Sequence, residues 1–209
     1  MPNDMTSPVE HQDLYALSPE GQRLLFTEAR TALKFTDAPV DDERLRAIWE
    51  LFKWAPTGSN LNPMRILYVR TDEGKKRLVP LLTPPNQPKS ASAPVIAVLA
   101  VDREYGEYGA ELCPSIPGLK DVLDSNPVLR DASGDFNAAL QAGYFVLAVR
   151  AAGLAAGPMK GFDAEAVNTE FFPDGRWKAI LLVNIGEPAE DAWGERMPRH
   201  DYEQAVQLV

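Results

Sequence analysis

The stretch KWAPTGSNLNPMRILYV, Lys53 to Val69, places Thr57, Gly58, Ser59, Asn60 and Asn62 between two prolines. A plain connection needs one or two turn residues, so this density of hydroxyls and amides suits a loop that hydrogen-bonds a polar ligand. Four other bends have the same character: ARTALKF from Ala29, NQPKSASAP from Asn86, GLAAGPMKGF from Gly153 and GERMPRHD from Gly194. Taken singly, each also has a structural explanation. Ser59 and Asn60 could end a helix, Arg30 and Arg199 could be solvated charges, and GPMKG could be a turn before a helix. The usual reactive groups are scarce. Cys113 is the single cysteine, so no internal disulfide forms, and His11 and His200 are the only histidines. Their spacing fits neither a zinc site nor a thiol–histidine pair, and these three residues read as surface or packing. There is no P-loop, no G-x-G-x-x-G after a strand and no G-x-S-x-G elbow. The chain is rich in groups that bind and poor in groups that react, so its chemistry calls for a borrowed reactive group.

The elements that must position these bends follow from periodicity and capping. Residues Met1 to about Leu17 mix polar residues and prolines without a period and read as a loosely held arm. SPEGQRLLFTEAR predicts a helix capped by Ser18, with Pro19 at its first position, ending near Arg30 with Leu17, Leu24, Leu25 and Phe26 available to pack. A second helix begins after Asp41, with Asp42 and Glu43 at the positive end of its dipole. Its Leu45, Ile48, Trp49 and Phe52 share one face, and it stops before Pro56. RILYVR reads as a strand, DEGKKRLVPLL as a short helix and APVIAVLAV as a fully buried strand. From Asp102 to about Ala132 no period is sustained, and such a stretch reads either as a functional lid, the preferred reading, or as a poorly ordered insert. DFNAALQAGYFVLAVRAAGL, apolar nearly all round, predicts a helix buried on most sides or lying across a subunit interface, with Asn137 near its start and Gly153 at its exit. FDAEAVNTEFF is a short helix capped by Asp163, and WKAILLVNIGEP is a strand. This order predicts an α+β fold with a central mixed or antiparallel sheet covered by helices, a single domain over residues 18–209.

Composition narrows the function classes. The 209 residues are 45% hydrophobic and 24% charged, enough for one domain with a real core. A net charge of −9 argues against a nucleic-acid partner, whose phosphates attract basic stripes. The longest apolar runs fall far short of the ~20 residues that span a bilayer, and the N-terminus lacks a leader pattern. No membrane partner and a cytoplasmic location are expected.

Taken together and in order, the bends resemble the nitroreductase family of FMN-dependent oxidoreductases. ARTALKFTDAPV is similar to a family segment R-R-S-x-R-x-F followed by an acid and Pro-Val. APTGSNLNPMRILYV is similar to A-P-S-S-x-N-x-Q-P-W-R-F-x-V. GLAAGPMKGFDAEAV is similar to G-L-x-x-x-P-x-x-G-F-D, and RMPRHDYEQAV to a basic motif before E-E-V-V. Within the family, LLFTEARTAL, KWAPTGSN and AAGLAAGPMKGFD resemble the malonic-semialdehyde-reductase branch. The match runs from about residue 24 to residue 209, and residues 102–132 are the least alike.

The resemblance implies a nitroreductase-like homodimer with interlocked C-terminal segments and one FMN per subunit at the interface. NADH or NADPH would be the reductant and a small molecule the electron acceptor, in a ping-pong cycle through flavin N5 that needs no side-chain acid or base. It assigns Arg30 and Thr31 to one side of the FMN phosphate and Arg196 and Arg199 to the other, because the family's other basic positions are Ala29 and Leu33 here. Thr57, Ser59 and Asn60 would meet the ribityl chain and phosphate end, with Asn62 where the family has Gln. Lys89 would be the cation at the N1 and O2 edge, with Asn86 as an amide partner. Pro158, Met159, Lys160 and Gly161 would bring backbone N–H groups to N5. Asn137 reads either as a site-facing polar residue or as an N-terminal cap. The implied acceptor is malonic semialdehyde or a similar carbonyl. Alternatives are a broad nitroaromatic or quinone reductase, chosen between by a lid around Tyr105, Tyr108 and Trp193, and a non-catalytic flavin-binding protein.

Overall fold

The structure, a computed structural model, describes residues 15–209; the expectations for His11 and for all but the last residues of the N-terminal arm lie outside these. A four-residue helix, α1 (Pro19–Gln22), is capped by Ser18 and runs into a π-helical turn over Arg23–Thr27. The expected continuous helix to Arg30 is therefore shorter and changes pitch. Its Leu17, Leu24 and Phe26 remain exposed within one chain. Helix α2 (Asp42–Phe52) forms as its sequence dictates: the Asp41 carboxylate accepts from the Arg44 N–H at 2.7 Å. Leu45, Ile48 and Phe52 are buried, whereas Trp49, placed on the same face by periodicity, stays 47% exposed.

Strand β1 (Met64–Val69) is followed by α3 (Asp72–Leu78), capped by Thr71, and by α4 (Gln87–Ser92). NQPKSASAP is thus mostly helical and not a loop, because Pro88 sits in the first turn, where a missing N–H is harmless. Strand β2 (Val95–Asp102) is buried along its whole length. Beyond it, residues 102–132 are not irregular. A 3₁₀ turn over Tyr105–Tyr108 leads to α5 (Gly109–Leu112) and α6 (Leu119–Ser125). Tyr105 is buried and donates from its hydroxyl to the Arg130 carbonyl at 2.8 Å. Asp102, buried at the end of β2, takes Arg65 at 2.9 Å and Arg176 at 3.0 Å, and Arg176 also reaches Glu104 and Glu107. These ion pairs fasten the start of the excursion. Its individual helices are too short to show a period, which hid them in the sequence.

Helix α7 (Pro127–Ala151) starts eight residues before the apolar stretch that signalled it, capped by the Asn126 side chain. Asn137 is consequently an interior residue of α7 and no cap. Strand β3 (Ala155–Met159) follows the left-handed Gly153, so half of GLAAGPMKGF is a strand rather than a bend. Its glycine and proline disguised it, and proline is tolerated there because β3 is an edge. Helix α8 (Ala164–Phe171) is capped by Asp163, β4 (Trp177–Gly186) is the longest strand, and α9 (Tyr202–Ala205) lies in the tail.

The four strands pair in the order β1-β2-β4-β3, every neighbour antiparallel. Both faces are covered, which the unbroken apolar run of β2 requires. Val95, Ala97, Leu99 and Val101 join a core with α2 and α7, where Phe52 and Phe145 meet edge to face at 5.6 Å. Ile96, Val98 and Ala100 join a second core with Leu78, Met159, Val167 and Phe35.

Candidate functional site

The residues singled out by sequence fall into two groups, at the two edges of the sheet. The first group surrounds β3. The chain at Ala32 bridges to Trp193, and its carbonyl approaches Gly157 so closely that a Cβ there would stand 3.3 Å away. This seats Arg30 and Thr31 beside β3. The Arg30 guanidinium lies 5.4 Å from the Trp193 ring centroid and donates to the Gly194 carbonyl at 3.1 Å. Arg196 reaches the same segment from the C-terminal side, donating to the carbonyls of Thr27 and Ala29. Neither arginine forms an ion pair with a carboxylate among the described residues. Two guanidinium forks resting only on carbonyls can turn to a phosphate. Lys34 points away and pairs with Asp191, whose carboxyl it holds below the usual range. Arg199 donates to its own neighbours, the carbonyls of Met197 and Pro198, and shares no hydrogen-bond partner with the other two arginines.

At the far end of β3, Gly161 is locked against the start of α4. Its carbonyl accepts from Asn86 Nδ2 at 2.8 Å, from Thr83 N at 3.0 Å and from Thr83 Oγ1 at 3.1 Å. A Cβ on Gly161 would stand 2.5 Å from Asn86 Nδ2, so only glycine fits without a shift. Pro158 and Met159 lead into this lock, and Ser90 Oγ donates to Met159 Sδ at 3.5 Å. Lys89, one residue earlier on α4, is half-buried and its ammonium makes no ion pair or hydrogen bond among the described residues; burial lowers its pKa. Desolvation without a compensating partner is unfavourable. Behind it, Asn184 is fully buried; its Nδ2 donates to Ser90 Oγ at 3.1 Å, while its Oδ1 has no donor. Lys160 turns outward, donating to the Ile180 carbonyl at 2.7 Å and lying 5.7 Å from the Phe162 ring centroid.

The second group precedes β1. Gly58–Asn60 forms one 3₁₀ turn, with Ser59 and Asn60 at φ 51° and Asn62 at φ 43°. These are the only non-glycine residues in the left-handed region among the described residues, a conformation that marks functional loops when the surroundings enforce it. Thr57 Oγ1 accepts from Asn62 N at 3.1 Å, and Asn60 Nδ2 donates to the Leu112 carbonyl at 2.8 Å. Gly58, Ser59 and Asn60 remain exposed. Asn137 and Gln141, both buried on α7, bond the two ends of the loop. Periodicity gave no hint of Gln141. Its signal was an amide one turn beyond Asn137 in a helix otherwise made of apolar and small residues.

Since β1 and β3 are opposite edges, the strands beside which the two groups lie are three strand spacings apart, roughly 14 Å. One chain alone does not gather all the polar bends into one cleft. Tyr108, Tyr105 and Trp193 likewise form no single lid: Tyr105 is core, Tyr108 lies over Arg65 and Trp193 lies over Arg30.

A cation without a counter-charge, an amide locked on a glycine, guanidinium forks paired only with carbonyls and a strained polar loop fit a phosphate-bearing ring cofactor. They do not fit a metal, and no cluster of histidine, cysteine or carboxylates suited to one exists among the described residues. Comparison with known proteins gives the class directly. A model of the Nitroreductase family matches residues 27–187. A Streptomyces coelicolor protein provisionally described as an NADH dehydrogenase/NAD(P)H nitroreductase is 55% identical over 187 residues, covering 90% of this chain and 93% of its own. In fold, the chain matches a Bacillus subtilis nitroreductase crystal structure with TM-score 0.77 and 24% identity, over 91% of this chain and 99% of that one. It matches an Exiguobacterium sibiricum nitroreductase in complex with FMN with TM-score 0.74 and 19% identity, over 90% and 96%. The chain belongs to the nitroreductase family. It is thus an NAD(P)H-dependent flavin oxidoreductase. No helix of the described residues is long and apolar enough to cross a membrane.

Proposed function

We propose that the protein is a homodimer in which the β3 edge of one subunit and the Thr57–Asn62 loop of the other enclose each FMN, and that it reduces a small carbonyl. The observation that carries this reading is the split of complementary polar groups between opposite sheet edges. Neither half encloses a ring cofactor alone, and a second copy related by two-fold symmetry would present each half to its complement. A stripe of exposed apolar residues on α7, Phe136, Leu140 and Tyr144, is available for that contact.

Bound FMN would supply the two-electron chemistry between NAD(P)H and the acceptor, and a carbonyl reduced in this way takes up one hydride together with one proton from solvent. The residues then divide the work. Arg30, Thr31, Arg196 and, once turned from its own carbonyls, Arg199 hold the phosphate, while Thr57, Ser59 and Asn60 hydrogen-bond the ribityl chain. Asn86 fixes Gly161, so the backbone over Pro158, Met159, Lys160 and Gly161 keeps one position beneath the ring. Lys89 neutralises the charge that gathers at the ring's electron-rich edge on reduction. For the acceptor, the reading is malonic semialdehyde, reduced to 3-hydroxypropionate, supported by KWAPTGSN and AAGLAAGPMKGFD. A second reading, a broad nitroaromatic or quinone reductase, is favoured by the name of the Streptomyces relative.

The test is the visible spectrum of the purified protein with FMN, before and after anaerobic NADH or NADPH, followed by turnover on a short semialdehyde, a quinone and a nitroarene. Bleaching with preferential aldehyde turnover is expected; preference for the nitroarene or quinone selects the second reading. Lys89→Met should lower the flavin's reduction potential while leaving NAD(P)H binding intact. An unchanged potential would remove Lys89 from its role.

A further inference from the structure

Three backbone positions of unfavourable φ lie within four residues, at Ser59, Asn60 and Asn62. Asparagine tolerates this region better than most residues and serine does not, but three such positions in so short a stretch are costly unless the surroundings hold them. The 3₁₀ turn itself has no side-chain cap. Thr57, Asn60, Asn62 and Arg65 bond along the loop itself or to the Leu112 carbonyl, and its two ends are gripped by two amides on α7, spaced i and i+4 so that they share one face of the helix. Asn137 Oδ1 accepts from Gly58 N at 2.7 Å, and its own Nδ2 is anchored on the Ser133 carbonyl at 2.9 Å. Gln141 Oε1 accepts from Met64 N at 3.0 Å, and its Nε2 donates to Asn62 Oδ1 at 3.4 Å. One amide therefore grips the loop before its first left-handed residue, the other after its last. Both side chains are nearly inaccessible, at 4% and 3% exposure. Burying two amides in an otherwise apolar interface with the sheet is unfavourable unless each is fully used, and here each is used on the loop.

We propose that Asn137 and Gln141 are positioning residues for FMN: from α7 they impose the left-handed backbone that aims Thr57, Ser59 and Asn60 at the cofactor. This rests on the reading of the Thr57–Asn62 loop as a ribityl-binding element. A loop held in shape before binding loses less conformational entropy when the ligand arrives. Its hydroxyls and amides then keep their aim without ligand contact from either α7 residue. The competing explanation is that the two amides merely satisfy backbone N–H groups of a buried junction, in which case their loss should affect stability and leave affinity alone.

The experiment measures FMN affinity by fluorescence quenching on refilled apoprotein, with thermal melting as the folding control. Thr57→Val and Ser59→Ala come first; if neither weakens FMN, the loop is not a cofactor element and the underlying reading falls. With those effects in hand, Gln141→Met, close in volume and lacking the amide, should raise the FMN dissociation constant about tenfold, and Asn137→Leu should act in the same direction. Should the Asn137 variant not fold, the Gln141 series alone decides. Adding Asn62→Gly to Gln141→Met replaces a strained position with the residue that tolerates positive φ, and should recover most of the lost affinity without restoring any hydrogen bond. An unchanged dissociation constant in Gln141→Met, or a loss that Asn62→Gly does not relieve, would overturn the proposal.

Discussion

At the scale of single residues, Gly161 and Lys89 carry the sharpest consequences. The space for a Cβ at Gly161 is already filled by Asn86 Nδ2 and Thr83 Oγ1. Gly161→Ala should displace Asn86 and the end of β3 together, and flavin retention through gel filtration should fall while the melting temperature changes little. Lys89 carries a pH signature. Burial lowers its pKa below the ordinary lysine value, so without cofactor the unfolded chain binds the proton more tightly, and stability rises with pH between the lowered and the ordinary pKa. FMN binding works in the opposite sense. If the ammonium faces the electron-rich ring edge, affinity is full at low pH and declines as pH rises through the lowered pKa, at a lower pH than a solvated lysine would give. Titration of FMN affinity in the wild type and in Lys89→Met checks this, since the variant should lose that limb of the profile. At this scale the polar residues were legible because their types are wasteful in plain turns. Gln141 and Asn184 were not, since a polar residue within an apolar segment reveals its partner only when a distant strand or loop folds against it.

At the scale of elements, capping and burial were legible where the physics is local. Ser18, Asp41 and Asp163 each cap the helix that follows, and β2 is as buried as its composition demands. Signals failed where tertiary contact decides. Strand β3 exists because β4 offers it an edge, and the helices between residues 105 and 125 are held by Asp102, Arg176 and Tyr105 rather than by their own periodicity. Helix α7 is the element that most of the molecule leans on, with Phe145 fully buried between α2 and the sheet. Phe145→Ala should destabilise the fold by about 3–5 kcal/mol, read from denaturant unfolding. Arg176→Met removes a partner from the buried Asp102 carboxylate and should loosen the 103–112 segment, detectable as faster amide exchange there, with the sheet itself retained.

At the scale of the whole molecule, apolar side chains left outside both cores point to association. Phe136 is 70% exposed and Leu208 81% exposed, and such residues gathered on one helix and one tail mark an interaction surface. Phe136→Asp should shift the protein from dimer to monomer in sedimentation and release FMN in the same step, because each cofactor is proposed to need both chains. Retention of FMN by a monomer would separate the site from the interface. The division of polar groups between the β1 and β3 edges also has a genetic consequence. Two chains disabled at different edges, one by Gly161→Val and one by Ser59→Val, should each be inactive alone yet restore function when co-expressed. Random pairing makes half the molecules hybrids, and each hybrid carries one centre built wholly from undamaged parts, so about a quarter of normal turnover should return. Two lesions on the same edge should give no such recovery.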